Sequence, residues 1–185
     1  MRVFAALVLG MIVGAAAIAL GVYFYFATGR APVGTSEPPM PFEKKLAHAA
    51  LNARVERDMP KTVPLQPDEP SLATGAALYR EHCAVCHGLP GQKKTSIAKG
   101  MFPHPPELLE GKGVTDDEPG ESYWKVANGI RLTGMPGFRS TLSETQMWQI
   151  SLLVANADKL PKPVADALAV PPAADDAAKA VAPAQ

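Results

Sequence analysis

The residues with the clearest chemistry are Cys83-Ala84-Val85-Cys86-His87, which include the only two cysteines in a chain of 185 residues. Thiols at this spacing can each add across one vinyl group of a haem, and the histidine after the second thiol is then held beneath the iron. The pentapeptide therefore reads as covalent attachment of a c-type haem through Cys83 and Cys86, with His87 as proximal axial ligand. Three other readings compete. A redox dithiol belongs beside a β-α-β pattern, which the sequence lacks. A zinc cluster brings a second Cys or His pair at short spacing; His82 and His104 have no familiar zinc spacing. Two ordinary cysteines would leave His87 unexplained.

A sixth ligand must come from elsewhere, and methionine opposite histidine is a common choice. The chain has seven methionines. Met1, Met11 and Met40 lie in an apolar N-terminal stretch and the arm after it, Met59 in a proline-rich connection, and Met147 in a capped helix where it packs. Met101 lies a short chain length past His87, an awkward start for the opposite haem face. Met135, in Gly134-Met135-Pro136-Gly137-Phe138, sits in a Gly/Pro-fixed loop able to lap over that face. Met135 is thus the expected sixth ligand. His104 is the other conceivable one, but Phe102-Pro103-His104-Pro105-Pro106 is expected to pass on the His87 side. There a proline carbonyl can accept the His87 Nδ1–H and orient the ring; Pro103 and Pro105 are the candidates.

The elements that must position these residues read as helices. Ser71 is a plausible N-cap for a helix carrying Gly75, Leu78 and Tyr79. A glycine inside a helix costs about 1 kcal/mol against alanine, so a close helix crossing at Gly75 is expected. Its partner is the helix opened by Ser143-Glu144-Thr145-Gln146, a capping box with Leu142 and Met147 as hydrophobic staple. That helix ends around Leu160-Pro161, and Trp148 or Leu152 is expected over Gly75. Between them Glu118 to Asn128 is a third helix, with Pro119 in its first turn and Asn128-Gly129 as its stop. Trp124 on that helix suits core packing or an N–H bond to a haem propionate.

Outside this core, Val3 to Phe26 is an uncharged apolar run that as a helix would span roughly 36 Å, enough to cross a bilayer with some tilt. It exceeds the length of a signal-peptide core, and Tyr23, Phe24, Tyr25 and Phe26 suit an interfacial belt, so a retained anchor is expected. Arg2 and Arg30 nearly cancel and do not orient it. Gly10 and Gly14 form a small-xxx-small face. Residues 31 to 41 read as extended, Phe42 to Asp58 as a helix bearing His48 as an ordinary side chain, and Pro60 to Pro70 as a stiff connection. The Ala/Pro-rich residues 162 to 185 read as disordered. The division is then an anchor (1–30), a linker with a short helix (31–70), a core domain (71–161) and a tail (162–185). The formal net charge is zero, which gives no argument for nucleic acid.

The core resembles the class I c-type cytochromes. The resemblance rests on Gly75 and Tyr79 on one helix, Cys83-Ala84-Val85-Cys86-His87-Gly88, Pro103 to Pro106, Asn128-Gly129-Ile130 leading to Gly134-Met135-Pro136, and a final helix with Trp148. It implies an all-α fold around one haem c, attached after export, with His87/Met135 coordination and one haem edge exposed. It also implies a non-enzymatic electron carrier whose haem domain faces the periplasm, and the N-terminal span, outside the resemblance, is expected to tether it to the cytoplasmic membrane. Such a carrier would pass single electrons between a dehydrogenase or quinol-oxidising complex and a terminal oxidase. A fixed haem subunit of a larger membrane oxidoreductase is the alternative. A haem sensor or enzyme would need a labile sixth ligand, and one Cys-x-x-Cys-His excludes a two-haem peroxidase within this chain.

Overall fold

The computed structural model describes residues 1–111 and 115–171, and over these the protein is all-α, with no β-strand among the described residues. The chain divides into two compact units at Ala47/His48.

In the first unit, helix α1 (Arg2–Ala27) carries no buried residue. Its length and uninterrupted apolar surface suit a single pass through a membrane. A turn follows in which the Glu37 carboxylate accepts from the backbone N–H groups of Val33 (2.6 Å) and Gly34 (2.7 Å). These two bonds hold its pKa below the usual carboxylate range, the Gly34 bond contributing most. Helix α2 (Glu43–Asp58) starts one residue later than the sequence pattern suggests. Phe42 lies outside it with φ 64°, and both Phe42 and Leu46 are exposed, so the expected apolar stripe does not form a packed face. Its single buried residue is Val55, which lies past the boundary between the units.

The second unit is built on helices α3 (Glu69–His82), α6 (Pro119–Asn128) and α7 (Glu144–Ala155), joined by short helices α4 (Ala84–His87) and α5 (Ser96–Gly100). Helix α3 begins before the expected Ser71 cap. Asp68 is the N-cap, its carboxylate accepting from Ser71 N–H at 3.0 Å, and Pro70 fits the first turn, where no N–H is required. At α7 the capping box forms as the sequence suggests: Ser143 Oγ accepts from Gln146 N–H and Gln146 Oε1 from Ser143 N–H. Leu142 and Met147 are both buried in one cluster, as a staple requires.

Helices α3 and α7 cross at Gly75. A Cβ there would fall on the Gln149 carbonyl and within 3.3 Å of Leu153 Cβ. The crossing is the expected one, but Gln149 and Leu153 cover Gly75 rather than Trp148 or Leu152. Trp148 instead stacks on Tyr123 of α6 with centroids 4.3 Å apart, fixing α6 to α7. Tyr79 is fully buried and donates its hydroxyl proton to the Gly88 carbonyl at 3.1 Å, joining α3 to the turn after the Cys/His motif.

After α7 a single 3-10 turn (Ala157–Lys159) leads to helix α8 (Lys162–Ala169). The expectation of disorder from residue 162 fails for this helix: Val164 and Leu168 are almost wholly buried in the α3–α7 core. The Ala/Pro composition conceals two apolar residues four positions apart, one face of a helix. Arg80 of α3 donates to the Ala167 (3.0 Å) and Val170 (2.7 Å) carbonyls, satisfying acceptors at the helix end. The remainder of that tail, residues 172–185, lies outside the described residues.

Candidate haem site

Cys83 closes α3 and opens α4. Its N–H donates to the Tyr79 carbonyl (2.9 Å), while its own carbonyl accepts from Cys86 (3.1 Å) and His87 (2.9 Å). One tight turn thus holds both thiols and the imidazole, and Gly88 ends it at φ 79°, which favours glycine. Both cysteines are free and half-buried. Burial, with Cys86 nearby, pushes the Cys83 thiol up to about 12, and burial also raises that of Cys86. A redox dithiol needs the opposite shift, toward thiolate.

The His87 ring is set by one bond. Its Nδ1–H donates to the Pro106 carbonyl at 2.7 Å. The acceptor is neither Pro103 nor Pro105, the expected candidates, but the proline one residue beyond. A carbonyl can only accept, so the proton resides on Nδ1 and the Nε2 lone pair is free for a metal. Burial lowers the imidazole pKa, only partly opposed by the Pro106 bond, so the ring is held in the neutral form a ligand requires. His104, in the same loop, is exposed, as is His48 on α2.

The Met135 loop is fixed from the other side. Gly129 has φ 67°, and a Cβ there would lie 2.6 Å from Gly137 N, so the two ends of the loop pass close together. Phe138 N–H donates to Val126 O (2.9 Å) and Ile130 N–H to Met135 O (3.2 Å). Thr133 Oγ1 accepts from Met135 N–H at 3.1 Å. Met135 and Phe138 pack against the apolar cluster of Leu78, Tyr123, Met147 and Trp148, and Cys83 borders the same cluster. The sequence-distant Cys83 and Met135 therefore edge one apolar surface. Trp124 is half-buried.

Sequence reasoning missed two features here. Thr95 caps α5 and donates its hydroxyl to the Val85 carbonyl (2.6 Å), tying the following loop to the Cys/His motif. Met101 reaches the Met135 loop: its side chain lies against Gly134. The short chain length from His87 is thus no obstacle to reaching that loop.

The donor set fits a covalently held haem better than a bare metal ion. Among the described residues, no three His, Cys, Asp or Glu side chains converge on a point that could hold one. A single available nitrogen, two thiols on one turn and a thioether bordering the same apolar cluster as Cys83 suit a porphyrin iron, whose other ligands are its own.

Residues 70–152 match the family described as cytochrome C oxidase, cbb3-type, subunit III. No curated protein matches the chain. Among solved structures, a chain of the Kuenenia stuttgartiensis reducing HAO-like protein complex is 26% identical, with a TM-score of 0.45. The match covers 51% of this chain and 46% of that one, so this protein spans less than half of that relative's length. Residues 70–152 are thus similar to a cytochrome oxidase subunit family, and among the described residues the chain is all-helical, with one helix long and apolar enough to cross a membrane.

Proposed function

We propose that this chain is the non-catalytic haem c subunit of a larger membrane oxidoreductase complex, relaying single electrons to a terminal oxidase centre. Cys83 and Cys86 would carry the thioether links, and His87 Nε2 and the Met135 sulfur would be the axial ligands. The observation that carries this reading is the His87 Nδ1–H bond to Pro106, which leaves one neutral nitrogen donor beside two thiols on a single turn.

When bound, the haem supplies a one-electron ferric/ferrous couple. The chain's own contribution is to hold and insulate it. Pro106 orients His87; Thr133 and Val126 fix the Met135 loop; Leu78, Tyr123 and Trp148 exclude water from the surface that Cys83 and Met135 share. Were His87 and Met135 both to hold the iron, no position would be left for a substrate, which suits a relay and not a catalyst. In this reading residues 1–30 anchor the chain, 31–70 link it, 71–161 hold the haem, and the haem domain faces the periplasm.

A fixed subunit is favoured over a free carrier between a dehydrogenase or quinol-oxidising complex and an oxidase, because the matching family is described as an oxidase subunit. Purification from native membranes in mild detergent distinguishes them. A fixed subunit co-purifies with oxidase polypeptides in constant ratio through two orthogonal columns. Recovery of this chain alone, haem-loaded, would establish the tethered carrier instead.

A further inference from the structure

We infer that Met101 is a positioning residue for the Met135 loop, its side chain filling the space beside Gly134 and so holding the loop closed. The inference rests on the reading of Met135 as axial ligand.

Gly134 is not in the left-handed region of backbone conformation, so torsional freedom does not explain a glycine there. Space does. The nearest atoms that a Cβ at this position would meet all belong to Met101: its Cε, then Sδ at 3.5 Å and Cγ at 3.9 Å. Met101 itself is half-buried and follows α5 directly. The segment that carries it is tied at both ends to the His87 side. At its start Thr95 donates to Val85 within the Cys/His motif, and at its end Pro106 accepts from His87. In between, Met101 touches the loop that bears Met135. One segment therefore spans from the element holding one axial ligand to the element holding the other. The hydrogen bonds of the Met135 loop lie within it and to α6, so Met101 supplies its contact with the opposite side of the site.

An unbranched thioether side chain suits this task because it adapts to irregular gaps. The same flexibility fixes what substitutions do. In Gly134→Ala the added methyl displaces the far end of Met101, which can swing away at little cost to folding, but the contact is lost. Gly134→Ala and Met101→Ala should therefore have the same consequence, and combining them should add nothing. Leucine is close to methionine in volume, so Met101→Leu keeps the packing while removing the sulfur.

The test uses the full-length, haem-loaded protein in detergent, with two readouts: the far-red charge-transfer absorption of methionine-ligated ferric haem, and the rate of cyanide binding. Met101→Ala and Gly134→Ala should each weaken the band and speed cyanide binding on the order of tenfold, the factor that about 1.4 kcal/mol of lost loop closure gives. The double variant should match the singles, and Met101→Leu should stay near wild type. Unchanged cyanide binding in Met101→Ala, or additive effects in the double variant, would overturn the inference. So would a Met101→Leu protein that behaves like Met101→Ala. Met135→Ala separates this from failure of the axial reading. If the band disappears in Met135→Ala while Met101→Ala is silent, only the positioning role falls. If the band survives Met135→Ala and disappears in Met101→Ala, Met101 is itself the ligand and both readings fall.

Discussion

Burial pulls the His87 imidazole toward its neutral form, and the Pro106 carbonyl then dictates which nitrogen keeps the proton. The Pro106 bond partly opposes burial on the charge, but it fixes the tautomer, so the neutral ring presents an unprotonated Nε2. Cys83 and Cys86 are similarly held as thiols within one turn, available for addition but poor nucleophiles for disulfide exchange. The protein purified from a haem c-maturing host should therefore carry one haem that survives acid-acetone extraction and stains on a denaturing gel. Replacing both cysteines with serine should abolish the stain; its persistence would refute thioether attachment. In the proposed coordination by Met135, thioether sulfur favours ferrous iron, so Met135→Ala should lower the reduction potential and open the iron to carbon monoxide. Redox titration and carbon monoxide difference spectra check both. Ready carbon monoxide binding by the wild-type protein would instead indicate a labile sixth position, and with it a sensor or enzyme.

At the scale of elements, the α3–α7 crossing and the α8 strap carry the packing. Gly75→Ala places a methyl on the Gln149 backbone carbonyl, which cannot move aside as a side chain would, and should cost about 1–3 kcal/mol. Leu168→Ala should cost about 2–5 kcal/mol, because Leu168 is wholly buried although it lies in an Ala/Pro-rich stretch. Denaturant unfolding of the haem-loaded protein measures both, and a change below 0.5 kcal/mol in either would contradict the packing described. The Asp68 cap has a pH signature. Its carboxyl is held below the ordinary value by bonds to Ser71, so its contribution is present above the unfolded carboxylate pKa and lost as pH falls through the folded one. Asp68→Asn, which still caps, should flatten that acid dependence. The crossing, the capping box and the Met135 loop were legible because each has a local signature: a lone helical glycine, Ser-x-x-Gln, Gly-Met-Pro-Gly. Asp68 was overlooked because Pro60, Pro64, Pro67 and Pro70 read as one breaker series, although Pro70 suits a first turn. The Pro106 acceptor, the Gln149/Leu153 contact and the reach of Met101 have no local signature. Each depends on how a distant segment is turned, which spacing alone does not encode.

For the molecule as a whole, the open question is what α1 contributes beyond attachment. Beyond Arg2 it carries no charge, no residue of it is buried, and a Cβ at Gly10 or Gly14 would meet nothing within 4 Å. A helix of this kind is stable only in lipid or against other membrane helices. The native protein should therefore stay with membranes through high-salt and carbonate washes, and a cleaved N-terminus near Gly29 would refute retention. The residues of the proposed haem site and the clusters beside them all lie between positions 65 and 168. A version beginning at Ser36 behind a cleavable export signal should consequently be soluble and haem-loaded, with the spectrum and potential of the full-length protein. Electron delivery should behave differently. In a fixed subunit, adding the soluble version to membranes that lack the full-length chain should leave oxidase turnover far below normal, even in excess, because the membrane contacts are missing. A free carrier needs only collision, so turnover would recover in proportion to the amount added. Oxygen uptake measured across a titration of the soluble version therefore decides between the two, and full recovery would overturn the fixed-subunit reading.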